Sequence, residues 1–289
     1  MSKKLAVIMT VYNETLSHLE SAIQSTLDSL SNVAGSKLII YVDRENHLIH
    51  NAVLDYLNKI NETVNEVDVV FSNKNIGLAN SLNFAINEFC LDYEFVGRMD
   101  ADDICMNNRF PVQINYIVNH NLDIVGCNGL KIDEEGRGIG IIINNENPDF
   151  RFGNCMIHPS LIFRSNIFKV IGGYRNYSAA QDYDFLCRAK SLGLNIRNIQ
   201  QELIQYRIRD GAIGQTRKKL QVMYKVKISK SYRKGLILSD ELTIKSDHYK
   251  FYDFIEANLK YNPLIYRFAT LFSILHLNNY FLNLSKRFL

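Results

Sequence analysis

Short runs rich in valine and isoleucine, separated by stretches with helical periodicity, constrain this chain more than any other feature. LAVIMTV (5–11), KLIIYVD (37–43), VDVVFS (67–72), EFVGRMD (94–100) and LDIVGC (122–127) are almost continuously apolar. That is the pattern of strands covered on both faces. Between them Leu16, Leu19, Ile23, Leu27 and Leu30 recur every three or four residues, as do Leu78, Leu82, Ala85, Ile86 and Phe89. Each set offers one apolar stripe to a sheet. The alternation predicts an α/β fold, with a mainly parallel, Rossmann-like sheet and helices on both faces.

Ligands of such sheets bind beyond the carboxyl ends of the strands. That rule gathers Tyr12, Asn13 and Glu14 after the first run, Asp43, Arg44 and Glu45 after the second, and Asp100 to Asp103 after the fourth. From about residue 139 the pattern shortens to IGIIIN, CMIHPSLIFR and a GGY turn at 172–174. A helix is expected over 182–192 and a last strand over 202–208. The domain boundary is expected near residue 210, with a nucleotide half over about 1–105, an acceptor half over about 106–210, and a separate region over 211–289.

Five cysteines, none in C-x-x-C spacing, argue against a zinc site and a disulfide framework and fit a reduced, cytoplasmic compartment. The apolar run before Tyr12 is only about six residues, too short for a signal peptide, and no stretch approaches the roughly 18 apolar residues of a membrane span.

RMDADD (98–103) places three carboxylates where the fourth strand should stop. With strand geometry continuing, Asp100 and Asp102 point together while Asp103 turns away or caps the next turn. Two convergent carboxylates repel unless a cation joins them, and hard divalent ions take such oxygens. An acidic, solvated turn would carry the same triplet. Its position at a strand's carboxyl end favours metal-assisted handling of a phosphate.

VIMTVYNE, IIYVD, NKNIGLANSLNFAI, RMDADDICMNNRFPVQ, HPSLIF, GGY, QDYDFLCRAKSLG and ELIQYR, in this order over about residues 5–208, resemble the inverting family-two glycosyltransferases with the GT-A fold. The resemblance is to the bacterial type that builds O-antigen, capsule and exopolysaccharide. It implies that Thr10, Tyr12 and Glu14 line a nucleotide pocket, that Asp43 accepts a hydrogen bond from uracil, and that Asn75, Gly77 and Leu78 shape the loop beside base and ribose. It further implies that Arg98, Asp100 and Ala101 face the ribose and the metal's water shell, with Asp102 binding Mn2+ or Mg2+ directly, Asp100 assisting, and His158 approaching the metal or the donor. Asp182 matches the family's catalytic base, with Asp184 a rival. The usual acidic residue before it is Gln181 here. Asp182 alone could also serve as a helix N-cap.

The resemblance implies transfer of one sugar from a UDP-sugar (Gal, Glc, GlcNAc or GalNAc) to a lipid-linked saccharide. The absence of tryptophan rules out the Q-x-x-R-W motif of processive synthases. Two alternatives stand beside this reading. A sugar-nucleotide pyrophosphorylase would need a glycine-rich loop after the first strand, where VYNETLSHLE has no glycine. A non-catalytic scaffold on the same fold would bind nucleotide without turnover.

Residues 1–205 carry 17 Lys and Arg against 24 Asp and Glu, whereas residues 206–289 carry 16 against 6. RKKLQVMYKVKISKSYRK (217–234) has eight basic residues and no acid, and polar residues from Arg267 to Lys286 recur at helical spacing among Leu, Ile and Phe. A basic amphipathic region over 211–289 suits the anionic inner face of the cytoplasmic membrane. A dimer or core-packing helix would read the same way. The acidic first part and the lack of a recognition module argue against nucleic acid.

Overall fold

The computed structural model describes residues 3–44, 49–208 and 218–236. Contacts group them into two units. The first comprises the described parts of Met1–Pro148, Met156–Tyr174 and Gly193–Arg209; the second comprises Asp149–Cys155, Arg175–Leu192 and the described residues of the chain from Asp210 onward.

In the first unit the elements run β1 (Leu5–Val11), α1 (Leu16–Leu30), β2 (Ser36–Val42), α2 (Asn51–Thr63), β3 (Val67–Phe71), α3 (Leu78–Ala85), β4 (Phe95–Asp100), β5 (Ile104–Cys105), α4 (Arg109–Asn119), β6 (Ile124–Ile132), β7 (Gly138–Ile142), β8 (Ile162–Arg164) and α5 (Asn166–Ile171). After α6 (Gln181–Ser191) of the second unit, β9 (Ile196–Arg207) completes the sheet. The strands lie in the order β3-β2-β1-β4-β8-β6-β9-β5, with β7 on β6. The longest pairings, β1 with β2 and β4, β2 with β3 and β6 with β9, are parallel.

The apolar runs are continuous because both sides of each strand are covered. Leu5, Val7, Met9 and Val11 join the core that holds Leu19, Ala22 and Ile23 of α1, while the alternate residues Ala6 and Ile8 are buried too. From β1 the chain steps outward to β2 and β3, then jumps back past β1 to β4. With right-handed crossovers, α1 and α2 lie on one face and α3 on the other. The strand order therefore reverses between β1 and β4, which opens a crevice at their carboxyl ends. Thr10 is registered against Asp100 across it.

β8 departs from the sequence-based expectation. It enters antiparallel between β4 and β6, so the run at 122–127 reaches β4 only through the short strand built from HPSLIFR. Three residues closed on one side by Pro159 leave too little alternation to read as a strand.

In the second unit α6 carries Asp182 and Asp184 in its first turn and Arg188 and Lys190 in its last, the order its dipole favours. α7 (Lys218–Arg233) packs in the same unit. Its Val222, Met223, Tyr224 and Ile228 are buried, the Tyr224 ring lies 5.5 Å from that of Tyr177, and Ser229 Oγ donates to the Arg151 carbonyl at 2.5 Å. The apolar residues interleaved with the basic ones at 217–234 thus serve packing. The amphipathic stripe expected from Arg267 to Lys286 lies outside the described residues. Among the described residues no helix is long and apolar enough to cross a membrane.

Candidate active site

At the end of β1 the loop folds on its own acid. Glu14 Oε2 accepts the backbone N–H groups of Tyr12 at 2.7 Å and Asn13 at 3.0 Å. Arg44, after β2, donates to the Tyr12 carbonyl and to Asn13 Oδ1, each at 3.2 Å, and its guanidinium lies 5.6 Å from the Tyr12 ring centre. Arg44 is thus engaged by the loop that carries Tyr12, whose ring is left half exposed at 48 %.

Asp43, 5 % exposed, accepts from the backbone N–H of Ile76 through Oδ1 at 2.8 Å and of Gly77 through Oδ2 at 2.9 Å. Asn75 Oδ1 also accepts from Gly77 N at 3.0 Å. Gly77 sits at φ 82 with open space where a Cβ would stand, so the backbone angle, not crowding, requires glycine there. Asp43 therefore builds the loop that starts α3, and any contact with a base uses its remaining lone pairs.

β4 ends at Asp100 and the chain turns at once over 101–103. The strand alternation assumed for Asp102 and Asp103 fails here, and with it the expectation that Asp103 turns away. Carboxylate oxygens of Asp100, Asp102 and Asp103 all lie within 4.8 Å of one another. Ala101 is buried between them in sequence. Asp103 is 1 % exposed; its Oδ1 accepts from Arg207 N at 2.8 Å, while its buried Oδ2 has no hydrogen-bond partner. Burial first, then the charges of Asp100 and Asp102, push its carboxyl well above the usual range, against the opposing Arg207 N–H and Arg98 charge.

Arg98, 1 % exposed, pairs with Asp100 and reaches Thr10 Oγ1 at 3.5 Å. Arg207 turns its guanidinium onto backbone carbonyls. Its Nε donates to the Asp102 carbonyl at 2.7 Å, and its Nη1 to the carbonyls of Asp133 at 2.9 Å and Glu134 at 2.8 Å. One guanidinium therefore ties the Asp102 peptide to the turn between β6 and β7.

The acidic group suits a hard divalent cation: all its donors are oxygens, one buried oxygen lacks a partner, and like charges meet at close range. His158 is not part of it. Its Nε2 meets the Tyr174 hydroxyl at 3.1 Å.

In the second unit Asp182 occupies the second position of α6, so it is not the N-cap. That place falls to Ala180, held at φ 59 without a side-chain hydrogen bond to the helix. A left-handed non-glycine residue costs about 1–3 kcal/mol and persists only where the surrounding structure holds it. Asn154 Nδ2 donates to Asp182 Oδ2 at 2.5 Å and orients the carboxylate. The rival Asp184, 3 % exposed, is engaged by Arg175 Nη1 at 3.2 Å and Arg188 Nε at 2.8 Å, which commits it to structure. Sequence reasoning missed Asn154, Asp103 and the Arg207 carbonyl clamp. Only the doubled Asp102–Asp103 gave any local signal.

Residues 6–172 match the profile described as glycosyl transferase family 2. The O-antigen biosynthesis glycosyltransferase WbnJ of Escherichia coli is 31 % identical over 137 residues, 45 % of this chain and 53 % of that protein, so the chain spans about half the length of that relative. The amylovoran biosynthesis glycosyltransferase AmsE of Erwinia amylovora is 26 % identical over 218 residues, covering 73 % of this chain and 79 % of that protein. Among solved structures, S. aureus TarS 1–349 in complex with UDP-GlcNAc superposes with a TM-score of 0.64 at 15 % identity, covering 82 % of this chain and 68 % of that one. The mannosyltransferase PcManGT from Pyrobaculum calidifontis, in complex with GDP-Man and Mn2+, gives 0.60 at 13 % identity over 80 % and 64 %. At these identities the structural likeness speaks for the fold alone.

Proposed function

The chain belongs to glycosyl transferase family 2 and has the GT-A fold, and from that premise we propose that it moves one sugar from a UDP-sugar to a lipid-linked saccharide, inverting the anomeric centre, in O-antigen, capsule or exopolysaccharide synthesis. The observation that carries this reading is the group of three carboxylates at the β1–β4 crevice, with Thr10 registered against Asp100. The relatives' roles in O-antigen and amylovoran synthesis support the pathway class, and neighbours holding UDP-GlcNAc or GDP-Man with Mn2+ support a nucleotide-sugar donor.

In this reading Asp102, with Asp100 and Asp103 beside it, holds Mn2+ or Mg2+. The cation supplies Lewis-acid neutralisation of the departing diphosphate. Arg98 fixes the Asp100 carboxylate, and Arg207 fixes the Asp102 backbone. Thr10, Tyr12 and Glu14 with Asp43, Asn75, Gly77, Leu78 and Ala101 form the nucleotide pocket. Glu14 and Asp43 act largely through the backbone they hold in place. Asp182, oriented by Asn154, takes the proton of the acceptor hydroxyl as its oxygen attacks the anomeric carbon.

The catalytic part extends to about residue 210, and the basic side of 211–289 meets the anionic inner face of the cytoplasmic membrane, where a lipid-linked acceptor resides. The test is a screen of UDP-Gal, UDP-Glc, UDP-GlcNAc and UDP-GalNAc, with GDP-Man for comparison, for nucleotide release with Mn2+ or Mg2+ and with EDTA. Metal-dependent UDP release from one donor is expected. Nucleotide binding without turnover of any donor would favour a scaffold.

A further inference from the structure

His158 and Tyr174 come from sequence pieces, HPSLIF and GGY, that take no part in the residue roles proposed above for transfer. β4 and β8 are antiparallel, with Phe95 against Arg164, Val96 against Phe163 and Gly97 against Ile162, and Arg98 N donates to the Leu161 carbonyl at 2.8 Å. As β4 advances toward Asp100 its neighbour runs back toward residue 158. The His158–Ser160 turn therefore lies at the carboxyl end of β4, on the rim that carries the aspartates.

That turn is held from beneath. The fully buried Arg109 donates through Nη2 to the Pro159 carbonyl at 2.7 Å and the Arg98 carbonyl at 2.8 Å, and through Nε to Gln113 Oε1 at 2.9 Å. Gln113 Nε2 in turn donates to the Ser160 carbonyl at 2.8 Å. Two consecutive carbonyls of the turn are thus occupied by side chains of α4, and one guanidinium joins the turn to the strand carrying Arg98 and Asp100. A buried cation costs free energy that an apolar side chain would not. Here it fixes one turn against one strand end.

The ring of His158 is held from the other side. Its Nε2 lies 3.1 Å from the Tyr174 hydroxyl, and the two rings meet edge to face with centres 5.5 Å apart. Tyr174 is 3 % exposed, and its backbone is clamped by one amide: Tyr174 N donates to Asn83 Oδ1 and Asn83 Nδ2 donates to the Tyr174 carbonyl, both at 2.7 Å. Gly173, at φ 66, lets Asn83 this close, since a Cβ there would stand 2.8 Å from Asn83 Oδ1. A phenyl ring would fill the same apolar space beside Phe168. The hydroxyl's particular contribution is a partner for one ring nitrogen, which sets the imidazole's tautomer and angle.

We propose that Asn83 and Tyr174 are positioning residues that hold His158 on the donor rim, where its imidazole contacts the bound nucleotide sugar. The inference rests on the donor reading above and deepens it. It gives His158 a part in turnover in place of metal ligation.

The test uses the full-length chain labelled with 15N-histidine and the variants Tyr174→Phe, Asn83→Ala, His158→Gln and Tyr174→Phe/His158→Gln. The ring-nitrogen signals of His158 are assigned by their loss in His158→Gln. Turnover is followed as UDP release from the four UDP-sugars with Mn2+, and UDP affinity by calorimetry. In Tyr174→Phe the His158 nitrogen signals should move. The kcat should fall by up to about tenfold, the scale of one lost hydrogen bond, while UDP affinity stays within about twofold of the wild type. Asn83→Ala should shift the same signals, and the double variant should be no slower than His158→Gln. Unmoved nitrogen signals in Tyr174→Phe, or losses that multiply in the double variant, would overturn the proposal. If the wild type releases no UDP from any donor, the donor reading fails, and the nitrogen signals alone then decide whether Tyr174 sets the state of His158.

Discussion

Two groups of aspartates meet opposite electrostatic conditions in this chain. On α6, Asp184 is buried between Arg175 and Arg188, so its charge is neutralised within the protein, and Asp182 accepts a neutral amide. On the rim, three carboxylates crowd within 4.8 Å with one ion pair, Arg98 to Asp100, among the salt bridges of the described residues there. Arg207 spends its guanidinium on carbonyls. The helix group is complete as folded. The rim group gathers three carboxylates at close range, a set of hard oxygen donors of the kind a divalent cation takes, which is how such a site differs from a structural ion pair.

The comparison breaks first at Asp182. Asp182→Asn keeps the Asn154 neighbour and the helix while removing the base, so transfer should drop by about a hundred- to ten-thousand-fold. UDP affinity should stay within about threefold. Loss of both together, in paired kinetics and calorimetry, would make Asp182 a structural residue.

Asp184→Asn should do the reverse. It leaves two buried arginines facing a neutral group, and breaking such a pair costs about 3–5 kcal/mol. Thermal unfolding should fall sharply while the soluble enzyme keeps its kcat. A stable Asp184→Asn with lost turnover would return the base role to Asp184.

The smallest effect concerns Asp103, whose carboxyl titrates well above its usual range. Because the folded state binds this proton more tightly than the unfolded chain, the group's contribution is fully present below the unfolded value. It is lost as pH rises through the folded value. Asp103→Asn removes that loss. In EDTA at pH 7 it should raise Tm by about 2 °C or more, and the gain should vanish near pH 4. A lower Tm at pH 7 would show that the carboxylate is satisfied by groups other than a cation.

The same contrast marks what was legible in the sequence. β1 to β4 and the stripes of α1 and α3 were, because burial on both faces and a helical period leave local patterns. β8 was not, since three residues carry no period. Asp100 and Asp102 stood out by their place at a strand end, but the inclusion of Asp103 depends on the chain turning immediately after Asp100. The role of Arg207 was not legible, because its acceptors are backbone carbonyls at 102, 133 and 134, which no side-chain pattern announces. The clamps from Asn154 to Asp182 and from Asn83 to Tyr174 join residues 28 and 91 positions apart. Such contacts exist only once the chain has folded.

The central claim is that the rim carboxylates need a divalent cation to hold a nucleotide diphosphate. Calorimetric titration of UDP into wild type and Asp102→Asn, each with Mn2+ and with EDTA, tests it most directly. The account predicts that Mn2+ tightens UDP binding to the wild type at least about tenfold, on the order of 1.4 kcal/mol, and leaves Asp102→Asn unaffected. Equal UDP affinity with Mn2+ and EDTA in the wild type, or an undiminished Mn2+ effect in Asp102→Asn, would contradict it.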